Sequence, residues 1–284
     1  MSGPGRLVLV ATPLGNMGDL SPRAASTLAG ADTIACEDTR RTRQLLRLAG
    51  VDAPRLVAVH EHNEASRVGQ ILERLAAGET VAVVSDAGLP GISDPGERVV
   101  RAAADAGYEI SVVPGPSAAV AALVVSGLPT GRWVFEGFLP RKGPERRARL
   151  SAVAAETRTV VLYEAPHRLV LTLTDLCRAC GGERRVALVR ELTKLHEQIW
   201  RGTLSEAVAL DTEPRGEYVL VLDGASAVAA AISEEAIEAA LERELSAGGD
   251  RREAVGAVAA VLGVPKRRVY DAAVRLRRNG DVLP

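Results

Sequence analysis

The sequence is short of the residues on which several protein classes depend. Aromatic side chains make up 3% of its 284 residues, as two phenylalanines, two tryptophans and four tyrosines, so a base-stacking platform of the aromatic-rich kind is not expected. Its three cysteines, Cys36, Cys177 and Cys180, are too few and too odd in number for a disulfide framework. Cys177-Arg-Ala-Cys180 is a lone CxxC without a second pair or paired histidines. It follows the apolar positions Leu169, Leu173 and Leu176 and reads as a helix end before Gly181-Gly182 more readily than as a zinc or redox site. The longest apolar run, Ala118 to Val125, is eight residues, against the roughly 20 that span a bilayer. No charged-then-apolar leader precedes Leu7, and the expectation is a cytosolic protein without a membrane partner. Neither sign of charge dominates: 35 Lys and Arg stand against 36 Asp and Glu, a net charge of −1, which excludes a surface that attracts nucleic acid as a whole.

What is present is the composition of a folded globular chain, 47% hydrophobic and 25% charged, with enough length to bury more than one core. The charge is uneven along it. Arg141 to Arg149 holds five basic residues and one acid, and Arg251 to Arg278 holds eight basic residues and two acids. Each is either a solvated helix face or the footprint of a phosphate-bearing partner.

The first two hundred residues alternate short apolar runs with helical periodicity. Leu7–Val10, Thr33–Cys36, Val81–Val84 and 109–113 read as strands covered on both faces. Pro22–Ala29 reads as a helix opened by proline, and Val68, Ile71, Leu72 and Leu75 mark one helix face that Gly78 ends. Helix 97–106 completes this half. The alternation breaks between Gly127 and Gly143, where a domain boundary is placed. A second alternating unit follows, with strands near 158–163, 186–190 and 217–222 and a helix at 168–179. The pattern predicts two tandem α/β domains with parallel or mixed sheets, 1–126 and 127–224. Residues 225–232 look like a linker. Three helical segments then follow, near 233–246, 251–262 and 266–278, the last two joined by Gly263-Val264-Pro265 in the manner of a helix-turn-helix. This module, 225–284, is a small helical cap or an RNA contact.

In open α/β sheets ligands bind outside the carboxyl ends of the strands. Four loops rich in Gly, Pro and small polar residues leave such ends: 12–16, 85–93, 114–118 and 163–168. None has the GxGxxG or Walker pattern, so neither a common dinucleotide site nor a nucleotide-triphosphate loop is indicated, and a dehydrogenase is disfavoured. GxSxG and HExxH are missing as well. The residues in or near these loops that can move a proton are Asp86, Glu164, His167, Glu191 and Lys194. His60 and His62 alternate at a strand end, which is more often a surface arrangement than a metal site, and no metal is expected.

Taken together, the motifs resemble the ribosomal RNA small-subunit methyltransferase I family. The segments that carry the resemblance are Val10-Ala-Thr-Pro-Leu-Gly-Asn-Met-Gly-Asp19, Glu37-Asp-Thr-Arg40, His62-Asn-Glu64 and Ser85-Asp-Ala-Gly-Leu-Pro-Gly-Ile-Ser-Asp-Pro-Gly96. They continue with Pro114-Gly-Pro-Ser-Ala118, Glu136-Gly-Phe-Leu-Pro140, Tyr163-Glu-Ala-Pro-His-Arg168, Arg190-Glu-Leu-Thr-Lys194 and Arg215-Gly-Glu-Tyr218. Leu89 departs from the threonine usual in the family. The resemblance implies the tetrapyrrole-methylase fold, S-adenosylmethionine in a cleft between the two α/β domains, a homodimer, and 2′-O-methylation of a cytidine in 16S ribosomal RNA. It places Pro13, Asp86, Ala87, Gly88, Ile92, Ser117 and Ala118 around the cofactor, with Tyr163, Glu164 and Leu192 closing it from the second domain. Lys194, then Glu164 and His167, are the candidates for a base that relieves the acceptor hydroxyl of its proton. Arg40, Arg141, Lys142, Arg146, Arg147, Lys266, Arg267 and Arg268 are the candidate contacts to the RNA backbone. The alternatives are a precorrin-type tetrapyrrole C-methyltransferase and an RNA-binding relative without catalysis.

Overall fold

Five apolar runs of four or five residues assemble the first sheet of this computed structural model, which describes residues 5–60, 62–210, 213–226, 232, 234–246 and 250–280, the side chains of 251 and 277–280 excepted. The chain divides into two units, Met1–Ala121 with Leu192–Glu197, and Ala122–Glu191 with Gln198–Pro284.

In the first unit the strands are β1 (Arg6–Val10), β2 (Thr33–Cys36), β3 (Arg55–Ala58), β4 (Thr80–Val84) and β5 (Glu109–Val113). All pair in parallel, in the order β3-β2-β4-β1-β5. The helices α1 (Pro22–Ala29), α2 (Thr39–Leu48), α3 (Glu64–Ala76) and α4 (Glu97–Asp105) make the crossovers, and α5 (Ala118–Ser126) follows β5. Alternation along each strand divides the apolar residues between two faces. Val8, Val10, Ile34, Cys36, Ala82 and Val84 pack with Leu28 of α1 and Leu46 of α2. Leu7, Ala35, Val81 and Val83 pack with Ile71 and Leu75 of α3 and Val99 of α4. A strand buried on both faces needs apolar residues throughout, which is why these runs are continuous. β3 and α2 were not legible in the sequence: β3 is a four-residue edge strand, and α2 turns four arginines outward over Thr42 and Leu46.

In the second unit β6 (Trp133–Phe138), β7 (Thr159–Glu164), β8 (Arg185–Arg190), β9 (Gln198–Thr203) and β10 (Tyr218–Leu222) pair in the order β6-β7-β10-β8-β9. Only β6 and β7 run parallel; the other pairs are antiparallel, so the sheet is mixed. α6 (Gly143–Ala155), α7 (Leu169–Cys180) and α8 (Leu204–Val208) cover one face, over Val160, Leu162, Val186, Leu188, Leu220 and Leu222. The Gly and Pro expected to break the pattern at 127–143 instead flank the edge strand β6, enter it at Gly137 and open α6. The CxxC closes α7 as expected, and burial raises the Cys180 thiol to about 11, which disfavours its thiolate.

The C-terminal helices α9 (Glu234–Ser246), α10 (Arg251–Leu262) and α11 (Lys266–Gly280) share a core of Ile237, Leu241, Ala254, Val258, Val269 and Ala272. Gly263, at φ +63, makes the left-handed turn that Pro265 follows. Residues 227–231 of the expected linker lie outside the described residues. No helix of the described residues is long and apolar enough to cross a membrane.

Candidate active site

Strand order decides where the first unit can hold a ligand. From β1 the chain crosses towards β2, and from β4 it crosses the other way to β5. β1 and β4 are neighbours whose outgoing connections run in opposite directions on opposite faces of the sheet, which makes their carboxyl ends the switch point of a doubly wound sheet, where ligands of such folds bind. The loops that leave there are held against each other. Thr12 and Gly88 form an isolated bridge, with the Thr12 amide on the Gly88 carbonyl at 2.9 Å and the Gly88 amide on the Thr12 carbonyl at 3.1 Å. The Thr12 hydroxyl donates to the Ser85 carbonyl at 3.2 Å. Gly88 has φ +85, and a Cβ there would lie 3.1 Å from Leu14 and 3.3 Å from the Pro116 carbonyl. A Cβ on Gly115 would lie 2.9 Å from that of Ala11. Three of the four loops singled out in the sequence are thereby one structure.

Around this switch point Pro13 is buried, Asp86, Ala87, Leu89, Ser117 and Ala118 are half-buried, and Ile92 is exposed. Asp86 Oδ1 accepts the Asp38 amide at 3.1 Å, and Oδ2 pairs with Arg41 at 3.3 Å. Burial still pushes the Asp86 carboxyl up, and Glu37 is raised by burial and by Asp86. Arg40 holds Asp38 down at about 2 through its side chain and its amide. Arg41 is a charge partner the sequence did not single out.

Leu192 was expected to come from the second domain, but the segment Leu192–Glu197 belongs to the first unit. It carries a strained residue. Thr193 has φ +66, rare for a β-branched side chain, and its buried hydroxyl has no hydrogen-bond partner among the described residues. Its amide donates to Glu197 at 2.6 Å. Next to it the Lys194 stem lies on Gly15, where a Cβ would come within 2.3 Å of Cγ. Gly15 is therefore the seat of Lys194, a role that no sequence pattern announced.

In the second unit Glu164 is buried, and its carboxylate accepts from Thr172 at 2.5 Å and from the Ala165 amide at 2.9 Å, and pairs with Arg168 at 3.2 Å. His167 is exposed on a single turn, Pro166–Arg168. Tyr163 lies edge-on to Phe135 and Phe138. The last two motif segments anchor one another. Arg190 donates to the Arg215 carbonyl at 2.7 Å, and Glu191 accepts the Glu217 amide at 2.9 Å.

The basic residues separate into two groups. Arg141, Lys142 and Arg147 are exposed, as is Lys266. Arg40 is exposed but chelates Asp38, and Arg267 pairs with Asp271 at 3.9 Å. Arg146 corrects the expectation of an RNA contact. It is 5% exposed, and its guanidinium is used by Asp175 at 2.9 Å, the Pro140 carbonyl at 2.9 Å and Thr172 at 3.0 Å. Arg268 is a second correction, since Glu234 and the Ile232 carbonyl hold it at 2.6 and 2.5 Å.

The His62-Asn-Glu64 segment is structural. Asn63 accepts the His60 amide at 2.8 Å, and Glu64 accepts the amides of Gly96 and Arg98 at 3.0 and 2.9 Å at the start of α4. Among the described residues no group of His, Cys, Asp and Glu is placed to hold a metal.

With this geometry in hand, the chain compares with known proteins as follows. A family model described as Tetrapyrrole (Corrin/Porphyrin) Methylases matches residues 6–208. A solved uroporphyrin-III C-methyl transferase of Thermus thermophilus, complexed with S-adenyl homocysteine, superimposes with a TM-score of 0.56 at 22% identity, over 78% of this chain and 97% of that one. Ribosomal RNA small subunit methyltransferase I of Synechocystis is 46% identical over 279 residues, 97% of this chain and 100% of its own length. The protein of the same name from Xylella fastidiosa is 48% identical over 276 residues, 95% of this chain and 99% of its own. The chain belongs to the ribosomal RNA small subunit methyltransferase I family, within the tetrapyrrole methylases.

Proposed function

We propose that this protein is an S-adenosylmethionine-dependent methyltransferase that methylates the ribose 2′-hydroxyl of a cytidine in 16S ribosomal RNA, in the cytosol and as a homodimer. The observation that carries the reading is similarity along nearly the whole chain to proteins named for small-subunit ribosomal RNA methylation. The solved relative with a bound cofactor product supports the choice of methyl donor.

The residues of the first unit fit such a cofactor. At the switch point Gly88 and Gly115 let the three loops pack on one another, Ile92 offers an uncovered apolar side chain, and Asp86 is a half-buried acceptor. Pro13, Asp86, Ala87, Gly88, Ile92, Ser117, Ala118 and Leu192 are assigned to it, and Tyr163 and Glu164 by their motif alone. The cofactor supplies a sulfonium-bound methyl group for in-line displacement. The protein's part is to align the acceptor oxygen and exclude water.

Lys194, seated on Gly15, is assigned the role of taking or guiding the acceptor's proton. As a base it must be neutral, which needs desolvation. The three donors on the Glu164 carboxylate suit it to holding Arg168 and Thr172, and exposed His167 is the second choice for proton transfer. In functional terms the parts are 1–126, 127–224 and the helical module 225–284, the last a further RNA contact through Lys266. The test is transfer of labelled methyl from S-adenosylmethionine to small subunits lacking modification. The wild type is expected to label the RNA, and Lys194→Ala to bind cofactor while losing at least about 100-fold in turnover, the usual size of a general-base contribution. Full turnover in Lys194→Ala would remove the lysine from the mechanism.

A further inference from the structure

β6 is the edge strand of the second sheet, and it contains an irregularity. Phe135 stands opposite Val161, Gly137 opposite Leu162 and Phe138 opposite Tyr163, so Glu136 is an extra residue in the ladder. In a regular strand, residues three apart face opposite sides of the sheet. The inserted residue cancels that alternation and brings Phe135 and Phe138 to one face, shared with Tyr163. Val160 and Leu162 point the other way, into the core beneath α6 and α7. Gly137, at φ +60, supplies the left-handed conformation that the bulge requires.

The outcome is a gathered aromatic group. Tyr163 has its ring centroid 4.9 Å from that of Phe135 and 5.7 Å from that of Phe138, with interplanar angles of 72° and 63°. Three of the eight aromatic residues in the chain therefore meet at one sheet edge. Phe135 is half-buried and Phe138 is 51% exposed.

The backbone beyond Phe138 is fixed. The Leu139 carbonyl accepts from Arg168 at 2.6 Å and the Pro140 carbonyl from Arg146 at 2.9 Å. Arg141, Lys142 and Arg147 follow, all exposed and without an ion pair shown among the described residues. A rigid, half-exposed aromatic ring followed by free cations matches the two chemical faces of an RNA strand, a flat base and a charged backbone.

We infer that the Phe138 ring is a stacking surface for a nucleobase of the RNA substrate, with Arg141, Lys142 and Arg147 on the neighbouring phosphates. The inference rests on the proposed RNA substrate. Its test measures the wild type and the variants Phe138→Ala, Phe138→Trp and Phe138→Leu on small subunits, with cofactor affinity measured in parallel. Phe138→Ala is expected to raise KM for the subunit on the order of 10- to 100-fold, the size of one lost base stack, with cofactor affinity unchanged. Phe138→Trp restores KM, since an aromatic face is what is needed, and Phe138→Leu does not. Restoration by leucine would mean apolar packing, or a protein contact, and would overturn the inference, as would a wild-type KM in Phe138→Ala. A wild type that labels no RNA would overturn the proposed function itself, an outcome distinct from transfer that ignores Phe138.

Discussion

Gly15 and Lys194 show how far a single residue's role can lie from its sequence appearance. Gly15 sits in a turn-rich loop where glycine needs no explanation, yet a Cβ there would overlap the Lys194 stem. Gly15→Ala is therefore expected to lower turnover on the order of tenfold or more through displacement of the lysine, with cofactor affinity within a few-fold of wild type. Equal turnover for the two proteins would show that Lys194 does not need this seat. Arg146 and Arg147 make the opposite point, because adjacent arginines in one basic run have different fates. α6 turns Arg146 inward onto Asp175, Thr172 and the Pro140 carbonyl, and leaves Arg147 in solvent. Arg146→Ala strips the donors from Thr172 and the Pro140 carbonyl and leaves half-buried Asp175 with Arg178 alone, and is expected to cost about 1–3 kcal/mol of stability in urea unfolding. Arg147→Glu is expected to leave the unfolding midpoint in place while weakening RNA binding and lowering its salt slope by about 1. An unfolding midpoint that moves with Arg147, or stays with Arg146, would reverse these assignments. Residue counting saw one patch of five cations, since charge composition carries no information about which side of a helix faces the sheet.

Elements were legible in the sequence where burial forced a pattern. β1, β2 and β4 are continuous apolar runs because helices cover both faces, and α3 shows its 3.6 period because one face stays wet; β5, an edge strand, is exposed at Glu109, Ser111 and Val112 against the expectation of cover on both faces. β3, β9 and α2 were not legible. β3 and β9 lie at sheet edges, and an edge strand needs fewer apolar residues; α2 is mostly arginine and presents only Thr42 and Leu46 to the core. β6 was taken for a break because the glycine that allows its bulge also looks like a loop signal. The loops at the switch point were singled out by their small residues, whereas their joining through Thr12 and Gly88 depends on strand order. Glu64 belongs to this scale too. It was visible only as part of a motif, and its function is to cap α4 from another helix. Glu64→Ala strips the acceptor from the amides of Gly96 and Arg98 and is expected to destabilise the protein by about 2 kcal/mol. Hydrogen exchange should localise the loss to the first turn of α4, and unchanged protection there would contradict the cap.

At the scale of the whole molecule, sequence resemblance went further than physical pattern. Composition and periodicity gave two α/β domains and a helical tail, which suits a tetrapyrrole acceptor as well as an RNA one. The solved structure reported above shares the fold at 22% identity, and fold alone does not choose the acceptor. The choice comes from full-length similarity together with exposed cations that a small macrocycle does not need. Equilibrium sedimentation at low micromolar concentration is expected to give twice the chain mass of 29.8 kDa, and a monomer would remove the homodimer from the account. Ribose methylation of 16S RNA is read out by mapping the labelled product. Small subunits lacking modification are incubated with the wild type and labelled S-adenosylmethionine, and the RNA is digested to nucleosides. Label is expected on the 2′-oxygen of one cytidine; label on a base, or cofactor binding with no label in the RNA, would contradict ribose methylation.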